Sequence, residues 1–203
     1  QYGKKMIQTF DKHWPRSIKL KIYYEWLPYD YQKNFSDRIE WIDINSACPH
    51  LKEFKQRHIS NPNAHGIKPG TDPNGKYSYL WDSVKFAHKS FCVSHSTLNA
   101  STDILIWLDA DVVTHSTVSK EVIEGLLPQD HFCTYLGRQR IYPECGFVMY
   151  NCQSKFLKSF MTMWTDLYNE GTIFDLAEWH DSFLFQHLLN DFKDAEGFRS
   201  ASI

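Results

Sequence analysis

The sequence has 203 residues, a formal net charge of −2 and no run of Lys or Arg that could form a basic stripe. These properties predict one domain over residues 1–203 and argue against nucleic acid as the main partner. Hydrophobic residues make up 42% of the chain and aromatic residues 16%, enough for a packed core with rings left over for a binding cleft. No segment approaches the ~20 apolar residues of a membrane-spanning helix and no signal-peptide pattern opens the chain, so we expect no integral membrane segment.

The cysteines favour a reducing compartment. They are odd in number and include no CxxC pair, and two of them have the apolar neighbours typical of reduced core thiols. We therefore expect a cytoplasmic protein. The five are Cys48, Cys92, Cys133, Cys145 and Cys152.

The first part of the chain alternates helical and extended patterns. Apolar periodicity and capping signals predict a helix over residues 2–13, strands over residues 18–26 and 38–44, and a helix from Ser46 to residue 58. An α/β domain usually opens with a strand rather than a helix. We therefore expect the first strand and a nucleotide-facing loop to lie upstream of Gln1.

Residues 60–76 are rich in Gly, Pro, Asn and Asp, a composition that cannot continue a helix or strand. A loop of this length is either a flap near a site or a surface insertion. Residues 77–100 return to helical periodicity, and Lys85 and Lys89 lie one turn apart beside the apolar stripe of that helix. The two lysines belong either to a solvated face or to a phosphate site, and Lys89 is favoured for function because its helix leads directly into the next strand.

Residues 103–115 read Asp-Ile-Leu-Ile-Trp-Leu-Asp-Ala-Asp-Val-Val-Thr-His. The apolar block at 104–108 predicts a strand that is buried on both faces. Ligands of open α/β sheets bind outside the carboxyl ends of the strands, where Asp109 and Asp111 would stand with both side chains on one face. Two neighbouring carboxylates predict a Mg²⁺ or Mn²⁺ site that bridges to phosphate, unless one acid merely caps the next helix.

The remaining chain again mixes helices and strands. The patterns predict a helix from Ser116 or Thr117 to residue 127, strands at 132–136 and 146–151, and helices at 154–168 and 183–189. Gly146 opens its strand, where the missing Cβ lets a ligand or another backbone approach closely. We expect an α/β sandwich with a mainly parallel sheet, and the direction of strand 146–151 is left open.

Three segments together resemble the GT-A fold glycosyltransferases. They are Asp-Ala-Asp after Ile-Leu-Ile-Trp-Leu, then Glu-Cys-Gly-Phe-Val-Met-Tyr-Asn some 35 residues later, and then His-Asp-Ser-Phe-Leu. The chain looks closest to glycogenin-like and lipopolysaccharide sugar transferases. The resemblance implies a Rossmann-like, three-layer α/β/α sandwich. It also implies a hexosyltransferase that uses a nucleotide-diphosphate sugar donor and a saccharide, lipid-linked or protein acceptor.

The same resemblance assigns roles to individual residues. Asp109 and Asp111 would hold the divalent cation, Mn²⁺ or Mg²⁺, against the donor diphosphate. Asp181 would lie beside the reacting sugar, and Glu144 would line the pocket with it. The residues that we expect to bind donor or substrate, some of them beyond what the resemblance assigns, are Lys85, Lys89, Asp109, Ala110, Gly146, Asn151 and His180. The histidine that gives glycogenin-like enzymes a third metal ligand is not identifiable before the last residue, so the domain is expected to lack its C-terminal end.

Sugar transfer needs stabilisation of a leaving diphosphate, which a cation on Asp109 and Asp111 would supply. In an inverting enzyme Asp181 is the first candidate base for the acceptor hydroxyl and Glu144 the second. In a retaining enzyme Asp181 would instead stabilise the oxocarbenium face. For His180 we favour a structural role over a metal-binding one, because a single His beside Asp is more often a hydrogen-bonded structural residue than a metal ligand.

Two other functions compete with sugar transfer. A haloacid-dehalogenase-like phosphatase also carries Asp-x-Asp after an apolar strand, with the first Asp as nucleophile. That motif normally opens its domain, whereas about a hundred residues precede Asp109 here. The other alternative is a non-catalytic module that binds sugars or nucleotides, for which the aromatic content is suited.

Overall fold

The computed structural model describes residues 2–28 and 30–203, which form an α/β fold of helices and twisted sheets. The helices in this part of the chain are α1 (Tyr2–His13), α2 (Ile44–Ala47), α3 (Pro49–Arg57), α4 (Ser83–Leu98), α5 (Lys120–Leu126), α6 (Leu157–Asn169) and α7 (Asp181–Phe192). The strands are β1 (Leu20–Tyr24), β2 (Ile39–Asp43), β3 (Ile104–Leu108), β4 (Cys133–Leu136), β5 (Glu144–Asn151) and β6 (Ser200–Ser202). Short 3₁₀ turns lie at Tyr31–Asn34, Pro62–His65, Tyr79–Trp81 and Thr172–Asp175.

The strands form a two-stranded parallel sheet and a four-stranded sheet of mixed direction. β1 and β2 pair in parallel, and a four-stranded sheet has the order β3-β5-β4-β6. The expected parallel pairing is seen for β1 with β2 and for β4 with β6, but β5 runs antiparallel to both β3 and β4. The reason is the connection from β4 to β5, which spans only residues 137–143. A parallel crossover needs a dozen residues or more, so this short link returns the chain antiparallel.

β3 packs against core clusters on both of its faces, but it is less deeply buried than predicted, because all five of its residues are only half-buried. β3 is an edge strand of its sheet and has β5 on one side only. Its side chains still contribute to two core clusters, one on each face. Leu105 and Trp107 pack against the cluster that contains Phe91 of α4 and Val148 of β5, and Ile104, Ile106 and Leu108 pack against the cluster built on α1.

Side-chain caps start some helices at residues other than those predicted from the apolar periodicity. The helix expected over residues 77–100 is divided, because the Asp82 carboxylate accepts a hydrogen bond from the N–H of Lys85 and starts α4 after a 3₁₀ turn. Ser119, rather than Ser116 or Thr117, caps α5. Within α5, Val122 is 56% exposed, whereas the next residue, Ile123, is buried. Across the described residues, no helix combines the length and apolar character that crossing a bilayer requires.

Candidate functional site

The candidate site forms where β3 ends beside β5. The pairing of these strands extends past Leu108, since the N–H of Asp109 donates to the carbonyl of Gly146 at 2.9 Å. The indole N–H of Trp107 donates to Asp109 Oδ1 at 2.6 Å and fixes the carboxylate. A Cβ at Gly146 would lie 3.6 Å from Asp109 Oδ2 and 3.3 Å from Glu144 Oε1. Glycine at this position therefore keeps open the space between two carboxylates.

A buried lysine joins four elements of the fold at this site. The Lys89 ammonium of α4 lies 2.8 Å from Asp109 Oδ1, 2.5 Å from Asp181 Oδ2 of α7 and 2.6 Å from the carbonyl oxygen of Cys145 in β5. Its side chain is only 10% exposed. Burial by itself would lower the pKa of Lys89, but the charges of Asp181 and Asp109 outweigh it and raise that pKa above its ordinary value. Lys89 therefore stays charged and holds two carboxylates together.

Asp111 differs from Asp109 in its surroundings. β3 ends at Leu108, and the N–H of Val112 donates to the carbonyl of Asp109 at 3.0 Å, so residues 109–111 lie in a turn. The strand alternation expected to put both carboxylates on one face therefore does not apply here. Ala110 and Asp111 are exposed, and the Asp111 carboxylate makes no ion pair or hydrogen bond within the described part of the chain. It is free to bind a ligand from solvent.

The charges of this cluster are not balanced. Asp109 and Asp181 share one ammonium, Lys89, and the exposed Asp111 follows Asp109 in the chain as a third carboxylate, which leaves a formal charge of −2. Two carboxylates at the end of a strand, with room beside Gly146, match the way Mg²⁺ and Mn²⁺ are held by one or two protein carboxylates together with substrate phosphates. No group of three or more His, Cys, Asp and Glu side chains in residues 2–28 and 30–203 is arranged to hold a metal ion. A cation held by Asp109 and Asp111 would therefore need further ligands from a substrate or from water.

Glu144 is held at the edge of the site by local contacts. Its Oε2 lies 3.1 Å from Arg138 Nη1, and its Oε1 accepts a hydrogen bond from the N–H of Gly146 at 3.1 Å. Arg138 also donates to the carbonyls of Tyr142 and Pro143. The Glu144 side chain remains 45% exposed, so the carboxylate stays accessible although its position is fixed.

His180 and Asp181 begin α7. His180 caps the helix through Nδ1, which accepts from the N–H of Phe183 at 3.4 Å, so its Nε2 carries the proton and donates to Glu178 at 2.8 Å. The Asp181 carboxylate is thereby delivered to Lys89 from the first turn of the helix. These contacts give His180 the hydrogen-bonded structural role that the sequence favoured.

Two of the predicted site residues lie elsewhere. Asn151 pairs with Ile104 at the other end of β3, about 17 Å along β5 from Gly146 at the usual strand rise. Its amide donates to the carbonyls of Gln129 and His131. Asn151 therefore closes a turn, and its predicted place in the substrate pocket is corrected. Lys85 is exposed, with its ammonium 5.5 Å from the Phe86 ring rather than among the carboxylates.

The sequence did not indicate Trp107, Glu178 or Arg138 as parts of this site. Trp107 could have been found, because it lies two residues before Asp109 and alternation puts both side chains on one face. The partners of Glu178 and Arg138 depend on loop geometry that no periodicity encodes. A surface hollow of about 500 Å³ lies elsewhere, lined by His50, Glu53, Gln56, Arg57 and Asn169. It contains no cluster of unbalanced buried charges.

Comparison of this chain with protein-family models, with curated proteins and with solved structures found no match.

Proposed function

We propose that this chain is a metal-dependent glycosyltransferase of the GT-A kind, which moves a sugar from a nucleotide-diphosphate donor to an acceptor hydroxyl. The observation that carries the proposal is the Asp109–Lys89–Asp181 cluster with the unpaired Asp111 beside it. The alternation of helices and strands supports the sandwich fold that the resemblance implies. The net negative charge of the cluster favours a cation, and a cation in turn favours an anionic substrate such as a diphosphate.

In this proposal, different residues of the site bind the cation and position its carboxylate ligands. Asp109 and Asp111 would hold Mn²⁺ or Mg²⁺, which when bound supplies Lewis-acid stabilisation to a leaving diphosphate. Trp107 and Lys89 fix the Asp109 carboxylate through hydrogen bonds of 2.6 and 2.8 Å, so it is oriented before any substrate arrives. The resemblance implies that Lys89 contacts donor phosphate or sugar. Its three N–H donors already bind Asp109, Asp181 and the carbonyl of Cys145, so this contact would replace one of those bonds.

The proton of the acceptor hydroxyl needs a carboxylate to receive it. Asp181 is the first candidate because it shares Lys89 with Asp109 and therefore lies beside the donor site. Glu144 is the second candidate, since its half-exposed carboxylate flanks Gly146. An Asp181→Asn variant that transfers sugar at the rate of the wild type would exclude the first assignment.

The proposal is tested with the whole chain, Mn²⁺ and a panel of uridine, guanosine and adenosine diphosphate sugars. Release of the nucleoside diphosphate is followed by chromatography, with and without a mixture of simple saccharides. We expect release from at least one donor and its loss in Asp109→Asn. Asp103→Asn is the matched control, because Asp103 precedes the other end of β3 and is exposed.

The outcomes of this assay separate the three functions. Turnover of a sugar nucleotide that depends on Asp109 supports the transferase. Phosphate release from an aryl phosphate without turnover of any sugar nucleotide would identify the phosphatase instead. Tight donor binding without transfer or hydrolysis would identify the non-catalytic module.

A further inference from the structure

A group of aromatic rings surrounds His180, immediately beside Asp181. The centroids of Tyr142 and Tyr79 lie 5.5 and 5.7 Å from the imidazole centroid, and those of Phe86 and Phe183 lie 6.1 and 6.3 Å from it. Tyr79 is 53% exposed and Tyr142 is half-buried. The group therefore opens to solvent next to the proposed site instead of continuing the core.

This aromatic group is rigidly held. His180 is fixed by its two hydrogen bonds, to Glu178 and to the N–H of Phe183. The backbone of Tyr142 is fixed by Arg138, whose Nε donates to its carbonyl at 2.8 Å. The 3₁₀ turn that carries Tyr79 is tied to the same region, since the N–H of Trp179 donates to the carbonyl of Leu80 at 2.7 Å. A surface that is already ordered loses little entropy when a ligand binds.

The exposed tyrosines differ from those that serve packing. Tyr23 and Tyr168 each direct a hydroxyl to a side-chain partner, and Tyr168 is buried in the core. Tyr79 and Tyr142 make no hydroxyl hydrogen bond within residues 2–28 and 30–203. Burial and the nearby charge of Glu178 both raise the pKa of Tyr142. Two aromatic faces, two hydroxyls without a partner in those residues and one carboxylate thus lie around His180, the residue before Asp181.

We propose that Tyr79, Tyr142 and Glu178 form the acceptor subsite and take a pyranose, an inference that rests on the proposed transferase function. A pyranose has an apolar C–H face that stacks on an aromatic ring and hydroxyls that need polar partners at the edge of that ring. Tyrosine supplies both the face and the polar tip, and the Glu178 carboxylate accepts from sugar hydroxyls. The subsite selects a saccharide acceptor over a lipid or a peptide.

The test separates acceptor recognition from donor recognition. In the wild type, hydrolysis of the donor by water measures the donor site alone, and transfer to a saccharide measures both sites. Tyr142→Ala and Tyr79→Ala should each raise the acceptor KM about tenfold, the loss expected from one stacked ring, with unchanged donor hydrolysis. Tyr142→Phe should keep most of the stacking, and Tyr2→Ala, an exposed tyrosine on α1, is the remote control. Thermal unfolding checks that each variant is folded.

A binding measurement is independent of turnover. Saturation-transfer NMR with methyl glucoside, methyl galactoside and methyl mannoside, in the presence of Mg²⁺, should show contact that Tyr142→Ala removes. Unchanged acceptor KM and unchanged saccharide contact in both alanine variants, with the donor still hydrolysed, would overturn the subsite alone. Saccharide contact that needs Tyr142 in a chain that turns over no donor would support the subsite and overturn the transferase.

Discussion

The polar and charged side chains at the two ends of the β3–β5 pair differ in how their partners are supplied. At the end where β3 begins, Asn151 donates to the carbonyls of Gln129 and His131, and the Gln153 amide donates to Asp103. The polar side chains at this end therefore form hydrogen bonds with neighbouring groups of the chain. At the other end, Lys89 is buried among carboxylates that outnumber it. The hydrogen-bonded side chains at the Asn151 end indicate a structural turn, whereas the unbalanced charge at the Lys89 end indicates a binding site for a ligand.

The largest expected effect comes from Lys89. Lys89→Ala leaves Asp109 and Asp181 without their shared cation, and removing one partner of a buried ion pair costs about 3–5 kcal/mol. The free energy of unfolding, measured by urea denaturation at neutral pH, should fall by that amount. Lys85→Ala is the matched control on the same helix, because Lys85 is exposed, and it should change the stability by less than about 0.5 kcal/mol. Equal stability of the two variants would show that the ion pairs at Lys89 contribute nothing.

The contribution of Lys89 should also disappear at alkaline pH. Its pKa is raised in the folded protein above the ordinary value of 10.5, so its stabilisation is fully present below pH 10.5 and is lost as the pH rises through the folded value. The difference in unfolding free energy between the wild type and Lys89→Met should therefore narrow above pH 10.5. A difference that stays constant into strong alkali would contradict the raised pKa.

Asn151 should have a smaller and purely structural effect. Asn151→Ala leaves the partly exposed carbonyls of Gln129 and His131 without their donor, a loss of about 0.5–1.5 kcal/mol because water can replace the amide. Denaturation should show this loss, and metal and donor binding should be unchanged. Weakened donor binding in a folded Asn151→Ala chain would restore this residue to the substrate pocket.

The smallest effect on stability should come from Asp111. Its carboxylate is exposed and unpaired within residues 2–28 and 30–203, so Asp111→Asn should change the unfolding free energy by no more than about 0.5 kcal/mol. The same variant should lose affinity for Mn²⁺. A large loss of stability would mean that Asp111 serves the fold.

The parts of the fold and of the site that could be predicted from the sequence are those encoded by residues close together in the chain. The apolar run of β3, the acids that follow it and Gly146 are encoded in adjacent residues, and the structure brings Asp109 and Gly146 together. Asn151 was misplaced because β5 runs away from the site, and the length of the 137–143 link decides that direction. The contact of Lys89 with Asp181 joins residues 92 positions apart, so no local pattern could indicate it. β6, only three residues long, has no detectable periodicity.

Asp109 and Asp111 are proposed to form a cation site for a diphosphate. Electron paramagnetic resonance counts free Mn²⁺ directly while the chain is titrated in the presence of uridine diphosphate. We expect the wild type to bind about one Mn²⁺ per chain, with at least about tenfold weaker binding in Asp109→Asn and Asp111→Asn. Asp103→Asn should bind as the wild type does. Equal Mn²⁺ binding by all four proteins, or by none, would rule out a cation site at Asp109 and Asp111.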